Sequence, residues 1–174
     1  MKEMARYGIT LAVICVAASA SLAIVNKITS PRIIAQAQAE EQSSLKEVMP
    51  QAESFLAVKP KEEVLYYKAL DKQGKFLGVV FKAAAKGYSS VIETIAGMTK
   101  QGVITDIKVI SQNETPGLGA RVTENSFTDS FKNKPIEVMG EIQAITGATI
   151  SSQAVIEAVK TKAAEIKELI KYEP

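Results

Sequence analysis

The stretch VLYYKALDKQGKFLGVVF, residues 64–81, decides the fold. Its first part, 64–70, is rich in aromatic and branched apolar residues. Asp71-Lys72-Gln73-Gly74 then supplies turn chemistry, and 76–81 returns to apolar strand-forming residues. Two such runs joined by a Gly-containing turn predict an antiparallel β-hairpin. Working downstream, Gly87-Tyr88-Ser89 reads as another turn and 91–96 as a third strand. Lys100-Gln101-Gly102 turns the chain into 103–110, where Val103, Thr105, Ile107 and Val109 alternate with Ile104, Asp106, Lys108 and Ile110. Both faces of that segment are partly apolar, which predicts a central strand.

The chain then changes character. A polar stretch rich in turn residues, Ser111 to Gly119, precedes a short helix expected over 125–131, and Pro135 precedes a short apolar strand expected over 136–139. From Thr149 a helix is expected to run almost to the end, because Val155, Val159, Ala163, Ile166 and Ile170 fall on one face with lysines and glutamates opposite. A block of strands followed by helices points to an α+β fold rather than regular βαβ alternation.

Upstream of the hairpin, 35–58 reads as helical, with Leu45, Val48, Met49, Ala52, Phe55 and Leu56 on one face and Pro50 interrupting. Before it, residues 7–26 contain no charge, and 8–25 reads GITLAVICVAASASLAIV. At 1.5 Å per residue those 18 residues span about 27 Å, close to the hydrocarbon thickness of a bilayer. Arg6 and Lys27 bracket the segment as snorkelling anchors. A retained single transmembrane helix is the leading reading, and a cleaved signal ending at Ala18-Ser19-Ala20 is the rival. Pro31 is expected to end the span or begin the next turn. Lys2 and Arg6 before the span balance Lys27 and Arg32 after it, so the positive-inside rule gives no orientation. The expected organisation is a tail and transmembrane helix over 1–30, a helical connector over 31–62 and a mixed α+β domain over 63–174.

Composition removes most chemistry. The chain has no histidine, which excludes histidine acid–base catalysis, histidine-activated nucleophiles and histidine metal sites. Its one cysteine, Cys15, lies in the apolar segment and leaves no intrachain disulfide, zinc-thiolate or iron–sulfur site. A net charge of +2, with bases and acids intermixed, gives no nucleic-acid footprint. No catalytic side chain and no metal site is expected, so any chemistry must come from a borrowed cofactor.

The most informative local feature is Thr146-Gly147-Ala148-Thr149-Ile150-Ser151-Ser152, a small, hydroxyl-rich turn directly before the last helix. Helix N-termini present unpaired N–H groups and a partial positive charge, so a phosphate can sit there. The same hydroxyls also suit a simple helix cap, and on physical grounds alone the cap is the stronger reading. The loop Glu114-Thr115-Pro116-Gly117-Leu118-Gly119 likewise has two readings, a plain surface turn or a close backbone approach to a ligand.

Three blocks occur in order, Gly87-Tyr88-Ser89, Glu114-Thr115-Pro116-Gly117-Leu118-Gly119 and Thr146-Gly147-Ala148-Thr149, behind a single N-terminal span. Together they make the chain resemble the G subunit of the Rnf ion-pumping ferredoxin:NAD oxidoreductase. The homologous C subunit of the sodium-pumping NADH:quinone oxidoreductase shares the motifs but is usually longer. The resemblance implies a membrane-anchored electron-transfer subunit whose FMN is bound covalently through a phosphoester to Thr149. It further implies a flavin transferase that takes FMN from FAD with Mg²⁺, redox and membrane subunits as partners, and a soluble domain on the extracytoplasmic side of the cell membrane. Thr146, Gly147, Ala148, Glu114, Thr115, Gly117, Leu118, Gly119, Tyr88 and Ser89 are the remaining candidate cofactor-binding residues, with Thr115 and Leu118 expected at the ring or ribityl chain and Tyr88 able to stack. The chain departs from the family pattern at Gln143, where the attachment motif usually has Asp, and at Gln112-Asn113, where a histidine is common. Two other functions stand beside this one: a membrane-anchored structural or binding module without a cofactor, and a flavoprotein of another extracytoplasmic electron-transfer chain.

Overall fold

The computed structural model describes residues 2–59 and 64–171, so the expected boundary between residues 62 and 63 lies outside the described residues. The chain forms two compact units, one ending at Gln42 and one beginning at Ser43. The first consists of helix α1 (Lys2–Val48) up to that point. Among the described residues this is the one helix long and apolar enough to cross a membrane. Up to Val25 its apolar side chains Ile9, Leu11, Val13, Ile14, Val16, Leu22, Ile24 and Val25 are exposed, as a lipid-facing surface requires.

Pro31 lies inside α1 rather than at its end. A proline removes one backbone hydrogen bond and crowds the preceding turn, but the Ala-, Gln- and Glu-rich sequence that follows forms helix readily and carries it on to Val48. The helix expected over 35–58 therefore stops short. Beyond Met49 and Pro50 the chain becomes strand β1 (Ser54–Val58), paired antiparallel with β2 (Tyr66–Leu70). Leu45, Val48, Met49 and Ala52 are buried as expected, whereas Leu56, now on a strand, faces out.

The second unit is built on one antiparallel sheet. β3 (Phe76–Lys86), β4 (Val91–Thr99) and β5 (Val103–Ser111) follow β2 as successive hairpins. The Asp71–Gly74 turn forms as expected: the Asp71 carboxylate accepts from the Gln73 and Lys75 amides, both at 2.8 Å, and Gly74 takes φ +77°. After β5 come a 3₁₀ turn (Gly119–Thr123), helix α2 (Asn125–Thr128), a second 3₁₀ turn (Asp129–Phe131), the two-residue strand β6 (Lys134–Pro135), a third 3₁₀ turn (Ile136–Glu141) and helix α3 (Thr149–Ile170). The strands lie in chain order, β1-β2-β3-β4-β5-β6.

Two expectations change here. β5 is one strand in from the edge rather than central, because β6 pairs with it only at Val103 and Ile104. The apolar strand expected over 136–139 is a 3₁₀ turn. Its buried residues Ile136 and Met139 are three apart, which is the 3₁₀ repeat and not the strand repeat of two.

The sheet buries both faces. One face, through Val79, Phe81, Ile92, Met98, Ile104 and Ile107, packs against Val155, Val159, Ala163, Ile166 and Ile170 of α3 and against Phe127, Phe131 and Met139. The opposite face, through Ala69, Val80 and Ile95, meets Leu45, Val48, Met49 and Ala52. The close approach of the α1 terminus depends on Gly97, where a Cβ would collide with the Val48 carbonyl and the Thr105 hydroxyl. Thr105 Oγ1 donates to the Val48 carbonyl at 2.6 Å, which satisfies one of the acceptors left open at a helix end. The mixed α+β class expected from the sequence is the observed one.

Candidate functional site

Three separated segments meet at the N-terminal end of α3. The first is the bend after β3, closed by a hydrogen bond from Gly87 N–H to the Ser90 carbonyl at 2.8 Å. The second is the loop leaving β5, in which Leu118 N–H and Ala120 N–H both donate to the Thr115 carbonyl, at 3.1 and 3.2 Å. The third is the turn into α3, where Gly147 takes φ +82°, a conformation that favours glycine.

Glu114 holds the three together. It is buried, with 6 % of its surface exposed. Oε1 accepts from the Ser89 amide at 2.9 Å, the Ser90 amide at 2.8 Å and the Ser90 hydroxyl at 3.3 Å. Oε2 accepts from the Ser151 hydroxyl at 2.7 Å. Burial alone pushes the carboxyl pKa up. The bonds from the Ser90 amide, the Ser151 hydroxyl, the Ser89 amide and the Ser90 hydroxyl outweigh it and hold the group below its ordinary value. Two glycines make room for it: a Cβ on Gly87 would lie 2.7 Å from Oε1, and one on Gly119 would lie 2.5 Å from Oε2.

Above this junction lies a cavity of about 400 Å³, lined by Tyr88, Glu114, Thr115, Leu118, Gly119, Gly147, Ala148, Thr149, Ile150 and Ser151. That volume falls within the usual range for ligand sites, roughly 300–1,000 Å³. Its lining contains one acid and neither Lys nor Arg. Tyr88, Leu118 and Ile150 are large, apolar and at least half exposed, so the cavity has an apolar collar.

The hydroxyls of the last turn divide into two pairs. Ser151 and Ser152 point inward and are buried. Ser152 Oγ accepts from Ile145 N–H at 3.1 Å and donates to the Ala148 carbonyl at 2.8 Å, fixing the turn from within. Thr146 and Thr149 are exposed, and only Thr149 lines the cavity. The N-cap of α3 is Ala148, with no side-chain capping bond. The hydroxyl cap favoured on local physical grounds is thus not made, and the first-turn amides, which have no acceptor within the helix, face the cavity end without one from a side chain.

Of the residues singled out from sequence, the fold gathers Tyr88, Glu114, Thr115, Leu118, Gly119, Gly147, Ala148 and Thr149 in one cavity wall. Ser89 contributes its amide to Glu114 rather than to the cavity. Thr146 and Gly117 lie outside the lining, and Gly117 serves its turn through φ +75°. Ser90 and Ile150 were not foreseen. Ser90 directly follows the Gly87-Tyr88-Ser89 turn, and that position was the available signal.

Comparison with known proteins gives a consistent picture. Residues 87–164 match the model of an FMN-binding domain, and residues 1–48 match that of the RnfG N-terminal region. The chain is 34% identical to the G subunit of the ion-translocating oxidoreductase complex of Methanosarcina acetivorans, over 91% of this chain and 92% of that protein. It is 35% identical to the G subunit of the proton-translocating ferredoxin:NAD(+) oxidoreductase complex of Clostridium ljungdahlii, over 86% of this chain and 84% of that protein. It is 34% identical to the G subunit of the Na(+)-translocating ferredoxin:NAD(+) oxidoreductase complex of Acetobacterium woodii, over 91% and 89% respectively.

Proposed function

Since the chain belongs to the family of G subunits of Rnf-type ion-translocating oxidoreductase complexes, we propose that it is a membrane-anchored electron-transfer subunit carrying FMN as a phosphoester on Thr149. The observation that carries the covalent reading is the lining of the cavity beside Thr149. A site that holds a free phosphate usually brings Arg or Lys to it. Here there is none, and the one charged group is the Glu114 carboxylate. A dissociable phosphate would be held only by amides at a helix N-terminus and repelled by that acid. An ester to Thr149 removes the need for a cationic clamp, and the threonine is exposed where a modifying enzyme can reach it.

Within this reading each segment has a task. The α3 N-terminus faces the phosphate with unpaired amides. Thr115, Leu118 and Tyr88 offer the surface against which the rest of the cofactor rests, and Glu114 keeps the walls in register. Bound flavin supplies the one-electron chemistry, and no side chain acts as acid or base. Attachment by a flavin transferase, with FAD as donor and Mg²⁺, forms the Thr149 Oγ–P bond, breaks the pyrophosphate bond of FAD and releases AMP. Residues 7–26 contain no ionisable acid or base apart from the Tyr7 phenol and the Cys15 thiol, so the ion path belongs to partner subunits. The soluble unit is assigned to the extracytoplasmic side, where a covalent bond keeps a cofactor that could not readily be replaced.

The test is flavin fluorescence in the protein band of a denaturing gel, with the chain produced alongside a flavin transferase. A fluorescent wild-type band and a dark Thr149→Ala band are expected. A dark wild-type band sinks the covalent reading, and a fluorescent Thr149→Ala band puts the bond elsewhere.

A further inference from the structure

Glu114 is an unusual group to find in the wall of this cavity. Its carboxylate is buried, the donors to it are the neutral groups of Ser89, Ser90 and Ser151, and neither Lys nor Arg lines the cavity. Gly87 and Gly119 let it sit there, since a Cβ at either position would collide with one of its oxygens, and hydrogen bonds to both oxygens hold it in place. Its four donor groups come from the bend after β3 and from the first turn of α3. The result is a negative charge fixed in position beside Thr149, in a cavity with no base to neutralise it. Electron uptake adds negative charge to whatever occupies the cavity, and a nearby fixed anion opposes that addition.

We propose that Glu114 is the residue that tunes the redox potential of this site, its fixed and cation-free carboxylate lowering the midpoint of a flavin held at Thr149. This rests on the reading of Thr149 as the attachment residue. The step concerned is the gain of one electron from a redox donor subunit and its return to an acceptor subunit, with a charge change of one on the flavin. Glu114 takes no part in bond making. Ser151 modulates it: among the described residues its hydroxyl is the one donor to Oε2, and it partly offsets the charge on the helix side of the cavity.

The two residues therefore have opposite effects. Glu114→Gln keeps the shape and an acceptor for the Ser89 and Ser90 amides but removes the charge, so the midpoint rises. Ser151→Ala keeps the charge but removes a donor that offsets it, so the midpoint falls. A simple loosening of the site would move both variants in the same direction. Removing one nearby fixed charge is expected to change the one-electron equilibrium of the Gln variant roughly tenfold, or about 59 mV.

The experiment is a potentiometric titration at pH 8 of the full-length flavinylated chain in detergent, followed by flavin absorption, for wild type and both variants, each first checked for in-gel fluorescence. An upward shift for Glu114→Gln with a downward shift for Ser151→Ala is the expected result. A flavinylated Glu114→Gln protein with an unchanged or lower midpoint overturns the inference and leaves the attachment reading intact. If Glu114→Gln fails to fold, Ser151→Ala decides alone: an unchanged or raised midpoint overturns the inference. A wild-type band without fluorescence removes the attachment reading, and this inference with it.

Discussion

Ser151 donates its hydroxyl to Glu114 Oε2 at 2.7 Å, joining the first turn of α3 to a loop 37 residues earlier. Neither residue can be exchanged without consequence for the other, because both are almost fully enclosed. Glu114→Ala leaves two amides and two hydroxyls without their acceptor. Only the Ser151 hydroxyl is fully buried, and water can reach the Ser89 and Ser90 donors in part, so at about 1–3 kcal/mol for a buried group left unsatisfied a total loss of about 2–4 kcal/mol is expected. Denaturant unfolding of the full chain in detergent measures it, and a loss below about 1 kcal/mol contradicts the arrangement.

The same carboxylate gives the stability a pH dependence. Its folded pKa lies below its ordinary value of 4.5, so the folded chain binds fewer protons than the unfolded chain near that pH. The resulting stabilisation is fully present above 4.5 and is lost as the pH falls through the lower, folded-state value. Glu114→Gln cannot titrate, so its unfolding midpoint should fall less steeply than that of wild type below about pH 5. Parallel curves for the two proteins count against a depressed Glu114.

Gly117 and Gly119 should respond differently to alanine. At Gly119 the new Cβ meets Glu114 Oε2 at 2.5 Å and Ser151 Oγ at 2.7 Å, a collision inside a packed junction. A loss of about 1–3 kcal/mol and reduced flavin incorporation are expected. At Gly117 there is open space within 4 Å but φ is +75°, so only backbone strain of about 1–2 kcal/mol applies. Flavin content should follow the first substitution far more than the second, as gel fluorescence normalised to protein will show.

On the opposite face of the sheet, Thr105→Val removes the 2.6 Å hydrogen bond to the Val48 carbonyl without changing side-chain shape. A loss of about 0.5–1.5 kcal/mol is expected. Gly97→Ala should cost more, because its Cβ would strike that carbonyl itself. Thermal unfolding of the two variants side by side checks the order, and Thr105→Val being the worse of the pair would contradict it.

Much of this architecture was legible in residue order. The Asp71–Gly74 turn and the 3.6-residue spacing of Val155, Val159, Ala163, Ile166 and Ile170 are found as read, whereas the alternation from Val103 gives the strand but not its faces: a register shift opposite Gly97 and Met98 puts Ile104 and Ile107 in one core. What was not legible depends on partners distant in sequence. Residues 54–58 have helical as well as strand character, and pairing with β2 decides the matter. Ile136 and Met139 suit several local conformations until their burial fixes a 3₁₀ turn. At the site, the motifs marked the right segments, and the fold brings them to one cavity. No spacing in the sequence, however, shows that Glu114 bonds to Ser89, Ser90 and Ser151 and lies beneath the site as its support.

The strand order has a consequence for how the chain comes into being. Each strand pairs with the one before it, so the sheet can grow hairpin by hairpin as the chain emerges, with little entropy lost to closing long loops. The apolar face it creates stays uncovered until α3, which follows all six strands in the chain, arrives. Thr149 opens that helix, and Ser151, two residues later, reaches back to Glu114. A chain that stops before α3 leaves a sheet without its cover, so the place proposed for the cofactor arises only once that helix has been made.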